Sequence, residues 1–330
     1  MTASVVAPGG AGQGAGPAQS RSRRGARGGR APRGAAPRSL ARAESVAGWA
    51  FVGPAAVIIG LFGVAPIIWS LVMSFQQNNL LSPSTPFVGL RNYRAMAHDP
   101  VVVQAAGHTL VYTALFVPGT MAVGLFLAVA MNRKLRFMWF YRTAAYATMA
   151  ISTISEALVF IWLFDPSYGI VNYLFSRVGI GQQQFLNSPS QALYVVVAMT
   201  IWGWSGFAVV IYLAALQGIP QDLIEAASID GAGRWTIFRR VTLPLLSPAS
   251  LFLAVWLTIN ALQLFDEVYL STQGGPLGAT TVLVYYLYEQ AFQNFNFGYA
   301  SAIAYLLFVV ILVVTAIQFR VGRRFTYYRS

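Results

Sequence analysis

Cysteine is absent from the 330 residues, which excludes a disulfide scaffold and any thiolate-ligated metal. Lysine occurs once, at Lys134 between Arg133 and Leu135, so the chain lacks the G-x-x-x-x-G-K-[ST] loop that cradles phosphates and cannot hydrolyse ATP by that route. The two histidines, His98 and His108, have no cysteine or paired carboxylates near them, and both are expected to be structural rather than metal ligands. A G-x-S-x-G nucleophile elbow is missing as well. Charged residues make up only 10% of the chain, against roughly a quarter in water-soluble domains. No catalytic constellation remains, so the expected work is movement of a solute, and no cofactor or metal is expected on this chain.

What is abundant is apolar: 56% of residues are hydrophobic and 14% aromatic, with a mean hydropathy of +0.58. Six stretches are long enough to cross a bilayer core of ~30 Å, at about 49–75, 107–131, 143–164, 191–216, 249–270 and 298–319. Each is expected to be a helix, because only a helix or a closed barrel satisfies its own backbone in hydrocarbon. The expected fold is an all-α integral membrane domain of six transmembrane helices over 45–322.

The net charge of +12 would suggest nucleic acid in a soluble protein. Here eight arginines fall within residues 1–44, in an Ala/Gly/Pro/Ser background that cannot bury a core. This segment reads as a disordered basic tail, a solvated flank of the first span, with contact to anionic lipid headgroups as the alternative and no nucleic-acid partner expected. The apolar run from Trp49 is too long for a signal peptide, so the tail is expected to stay on the mature protein. With both termini in the cytoplasm, 19 of the 22 basic residues lie inside and only Arg91, Arg94 and Arg177 outside. That asymmetry faces the termini, including residues 323–330, into the cytoplasm, and the expected location is the cytoplasmic (inner) membrane.

The most informative segment is the loop 217–248 between the fourth and fifth spans. Pro220 suits a first helical turn, Asp222 and Glu225 complement its positive end, and Gly231 supplies a left-handed cap. A second short helix from about Gly233 to Val241 places Trp235 and Phe238 on one face, with Arg234 and Arg239 projecting elsewhere. Pro244 is expected to stop it, and Ser247-Pro248 to open the fifth span.

Glu225-Ala226-Ala227, then Asp230-Gly231-Ala232, Phe238, Leu243-Pro244 and Pro248, resemble the EAA motif of permease subunits in bacterial ABC importers. Phe87-Val88-Gly89-Leu90-Arg91-Asn92-Tyr93, Trp162-Leu163-Phe164-Asp165-Pro166 with Gly169 and Asn172, and Thr272-Gln273-Gly274-Gly275-Pro276 resemble its carbohydrate-type branch, which includes maltose and glycerol-3-phosphate permeases. The resemblance covers about 49–322. It implies the type I importer permease fold, in which this loop is a coupling helix docked on an ATP-binding subunit. Glu225, Ala226, Ala227, Asp230 and Gly231 would shape the elbow, and Arg234, Trp235 and Phe238 would touch the partner. It also implies a second homologous permease subunit, two ATP-binding subunits that hold ATP and magnesium, and an extracytoplasmic substrate-binding protein.

Polar groups within spans mark solute paths or interhelical contacts. In the fifth span Trp256, Asn260, Gln263 and Glu267 fall on one expected helical face. Amides that donate and accept beside an indole suit sugar hydroxyls and a pyranose ring. Thr200, Trp204 and Phe207 form a second face in the fourth span, and the resemblance places substrate between these two helices. Glu156 in the third span is a further buried acid, with pathway and structural roles both open. No Lys or Arg lies within the six spans, which favours a neutral sugar over a glycerol-phosphate solute. The rival from another class is a stand-alone ion-coupled secondary transporter, for which Glu156 is the main support.

Overall fold

The computed structural model describes residues 38–79, 84–133 and 136–325. Lys134, the tail to residue 37 and residues 326–330 lie outside the described residues. Two compact units are distinguished, through Ile59 and from Gly60 onward. In the first, helix α1 (Arg38–Ile58) begins inside the segment assigned above to the disordered tail. The stretch Leu40-Ala41-Arg42-Ala43-Glu44 consists of strong helix formers, so the helix extends past the apolar run that hydropathy detects.

The second unit contains α2 (Ala65–Ser74), α3 (Arg91–Ala97), α4 (Pro100–Met131), α5 (Met138–Ala147), α6 (Thr153–Leu163) and α7 (Ile170–Arg177). The chain continues through α8 (Ala192–Gln217), α9 (Gln221–Ile229), α10 (Arg234–Ile237), α11 (Leu243–Leu245) and α12 (Ser247–Leu262). It ends with α13 (Asp266–Ser271), α14 (Leu283–Tyr288) and α15 (Phe297–Phe325). Pairing outside helices is confined, among the described residues, to two isolated bridges, Gln76 with Phe87 and Asn79 with Asn296.

Four helices are long and apolar enough to cross a membrane unaided: Gly48–Ser74, Pro100–Met131, Ala192–Gln217 and Phe297–Gly322. The expected third and fifth spans are instead bent pairs, so the count reaches six if each pair is one span. The third turns by 103° between Met138–Ala150 and Thr153–Leu163. Ser152 is extended there and restarts the helix as an N-cap, its hydroxyl accepting from the Ile154 N–H at 3.3 Å. The fifth is formed by Arg234–Leu245 and Ser247–Leu262, turned by 61°. Pro244 does not stop the preceding helix: it occupies the first turn of α11, where a missing N–H is tolerated, and the break falls after Leu245. Helix α12 ends at Leu262 rather than near 270.

Helices α4, α8 and α12 form the centre, with Tyr112, Phe116, Met199, Tyr212, Leu253 and Leu257 almost fully buried. A Cβ on Gly119 would strike Ile201, and one on Gly124 would strike Ala208, so α4 and α8 run parallel in close contact. Small residues at such contacts are what lets helices approach in lipid, where apolar burial alone gives little drive.

Candidate functional site

Helices α4, α6, α8, α12 and α13 surround a cavity of about 370 Å³, within the range of small-molecule sites. Of the residues named from sequence, Trp204, Phe207, Asn260, Gln263 and Glu267 line it, and Glu156 joins them. Thr200 and Trp256 do not. Thr200 is buried and turns its hydroxyl back to the Val196 and Val197 carbonyls at 3.0 and 3.1 Å. Trp256 stacks on Phe252 and meets Phe207 at a tilt, each at a centroid distance of 6.1 Å.

The expected single face from Trp256 to Glu267 is interrupted. Gln263 caps α12, Phe265 takes an irregular conformation (φ −142°, ψ −59°), and α13 starts afresh at Asp266. The break nonetheless brings Gln263, Leu264, Phe265, Asp266 and Glu267 onto the cavity wall. Non-helical backbone at depth is tolerated where it lines a path. Sequence inspection missed Tyr112 and Phe116, which line the cavity from α4 and stack at 5.3 Å. Their i, i+4 spacing was a usable signal, hidden in a helix apolar on all sides. Trp204 meets Phe116 edge-on at 6.4 Å and Phe207 at 5.9 Å, giving the wall a continuous aromatic surface.

Glu156 is 7% exposed and sits in the first turn of α6, where the helix N-terminus favours a carboxylate. Its carboxylate lies over Gly203 of α8: a Cβ built there would fall 2.5 Å from Oε1. Oε1 has no hydrogen-bond partner. The lining also includes Asp266 and Glu267 but no Lys, Arg or His. Among the described residues no group of three His, Cys, Asp or Glu could hold a metal ion. The histidines are used otherwise, His108 Nδ1 lying 3.0 Å from the Thr281 carbonyl and His98 Nδ1 2.9 Å from that of Arg94.

The loop between α8 and α12 folds as two short helices. α9 ends with Gly231 at φ +81°, a left-handed conformation that a side chain would strain. The Asp230, Gly231 and Ala232 N–H groups return to the Ala226, Ser228 and Ala227 carbonyls at 3.0, 3.1 and 3.0 Å. Trp235 stacks on Phe238 at 5.7 Å and is 71% exposed. Glu225, Ala226, Asp230 and Arg234 are exposed too, with Ala227 half-buried. Ile229, which the sequence did not single out, is 86% exposed and extends this apolar surface. The Asp165–Asn172 motif is a structural lock. Asp165 Oδ1 accepts from the Ser167 and Tyr168 amides at 2.7 and 3.2 Å, and Asn172 bridges Pro166 and Gln183.

Residues 120–327 match the family described as binding-protein-dependent transport system inner membrane component. The sulfoquinovosyl glycerol transport system permease protein of Agrobacterium fabrum is 36% identical over 273 residues, covering 82% of this chain and 89% of that protein. The lactose transport system permease protein of Rhizobium radiobacter is 34% identical over 291 residues, 86% and 97% of the two chains. Among solved structures, a chain of a bacterial ABC transporter involved in import of the acidic polysaccharide alginate superposes with a TM-score of 0.76 at 25% identity. It covers 88% of this chain and 99% of that one. The chain therefore belongs to the inner membrane components of binding-protein-dependent transport, as a multi-pass permease subunit of an ABC importer.

Proposed function

We propose that this chain forms half of the translocation path for a sugar or sugar-like solute, paired with a second homologous permease subunit. Two ATP-binding subunits dock from the cytoplasm and carry ATP and magnesium, and a substrate-binding protein delivers the solute from outside. Both termini then face the cytoplasm, a reading that the distribution of basic residues supports.

The observation that carries the solute assignment is the cavity wall. Trp204, Phe207, Tyr112 and Phe116 offer ring faces, and Asn260 and Gln263 offer amides. Apolar sugar faces pack on aromatic rings while hydroxyls exchange hydrogen bonds with amides. The lactose permease among the relatives agrees with this chemistry. A glycerol-phosphate solute would call for cationic side chains, and the lining holds none. Family membership sets aside the ion-coupled secondary transporter.

In the proposed cycle, ATP-driven closure of the ATP-binding subunits pushes the loop 219–241, with Trp235, Phe238 and Arg234 as the contact. Glu225, Ala226, Ala227, Asp230 and Gly231 hold the elbow rigid, so the push passes into α8 and α12, which border the cavity. The double substitution Asn260→Ala with Gln263→Ala tests the site by radiolabelled sugar uptake in assembled complexes. Two lost hydrogen bonds predict about a tenfold weaker apparent affinity. An unchanged affinity would remove this cavity from the path.

A further inference from the structure

We propose that the cavity selects its solute by charge, taking sugars that carry an ammonium in preference to neutral ones and rejecting those that carry an acid group, with Glu156 as the acceptor for the amine. This rests on the solute cavity proposed above and names its substrate class. Three carboxyl side chains, Glu156, Asp266 and Glu267, share one cavity that lacks any basic residue. The second observation is independent of that clustering. Glu156 is more than nine-tenths buried, its carboxylate packs against Gly203 on the cavity wall, and Oε1 has no hydrogen-bond partner.

A buried carboxylate oxygen without a donor is costly, and the cost is removed when a ligand supplies one. A hydroxyl would suffice, but an ammonium forms a charge-assisted bond about twice as strong. The surroundings add to the preference. Trp204 and Phe207 present faces that attract a cation. An ammonium in the pocket favours the ionised form of the acids beside it, whereas a uronate, phosphate or sulfonate would bring a further negative charge against the acids of the α6 and α13 sides.

The absence of cysteine from this chain permits a direct binding assay in the complete transporter once the accompanying subunits are made cysteine-free. Met149→Cys places a single thiol on the cavity lining, and its rate of reaction with a water-soluble maleimide reports occupancy. Glucosamine, glucose and glucuronate serve as probes of positive, zero and negative charge. Glucosamine should protect the thiol at about tenfold lower concentration than glucose, and glucuronate least of all. Glu156→Gln should bring glucosamine to the level of glucose, and Glu267→Gln should narrow the gap in the same direction. Equal protection by all three sugars, or glucuronate protecting best, would overturn charge selection while leaving a sugar site in place. An order unchanged in both variants would overturn the role of the acids. Protection by none of the three would overturn the solute cavity itself.

Discussion

Two carboxylates of this bundle live in opposite conditions. Asp99, at the N-terminus of α4, is saturated: Tyr299 and Tyr286 hydroxyls donate to Oδ2 at 2.6 and 2.7 Å, and the Val101 N–H donates to Oδ1 at 2.9 Å. Burial pushes its carboxyl upward, but the two phenols and the Val101 and Val102 amides outweigh that and hold it below the usual carboxylate range. Glu156, on the cavity, is more buried and leaves Oε1 unpartnered. α4 and α8 run parallel, so Asp99 sits at the end of the bundle away from the loop that follows α8. A carboxylate whose donors all come from the protein ties α4 to α14 and α15. The Glu156 Oε1 makes no such tie, and its side chain stands on the cavity wall.

Substitutions should separate the two roles. The largest effect is expected from Gly203→Leu, which drives side-chain atoms into the Glu156 carboxylate. Initial uptake should fall by about two orders of magnitude while the protein still inserts, since misplacing one binding group by an ångström is enough for such losses. Asp99→Asn should do the reverse. Replacing the charge weakens the phenol bonds and costs about 1–3 kcal/mol, visible as a lower unfolding temperature in detergent, with uptake within about twofold at 25 °C.

The pH dependence sharpens the contrast. Because Asp99 is depressed in the folded protein, its stabilisation is complete well above the unfolded carboxyl value near ~4 and is lost as pH falls through the lower folded value. Thermal unfolding of the wild type should therefore show an acid-side loss below about pH 4 that Asp99→Asn lacks. The smallest effect is expected from Trp256→Phe. Its ring stacks outside the cavity and phenylalanine preserves the stacking, so apparent affinity should change by less than about twofold.

Much of this was legible in the sequence, for identifiable reasons. Hydropathy located every apolar segment because lipid demands length and composition. It missed the turns at Ser152 and after Leu245, since a bend leaves mean hydropathy unchanged. The first half of the 218–248 loop was readable because Pro220 and Gly231 have local signatures, whereas Ser247 was read as an N-cap and is the first helical residue, with Leu246 at the cap. Pro244 misled, because a proline in a first turn and a proline that ends a helix look alike from sequence. The solute face was only partly visible. Periodicity named Asn260, Gln263 and Glu267, which share the cavity wall, but it assumed one straight helix and so also took in Trp256, which lies off it. Thr200 lies off the cavity, with its hydroxyl satisfied on its own helix. Asp99 was not noticed at all, since its partners lie 187 and 200 positions away.

The proposal that binds cavity to energy source is that the loop after α8 docks on an ATP-binding subunit. Ile229 is the most exposed apolar residue of that loop, and the chain has no native thiol, so Ile229→Cys is a clean probe. In membranes that take up solute, a short bifunctional thiol reagent should join this position to a P-loop ATPase, with a yield that changes when ATP is added. Full reactivity of the same cysteine toward aqueous maleimide, with no ATPase adduct in those active membranes, would contradict the coupling assignment.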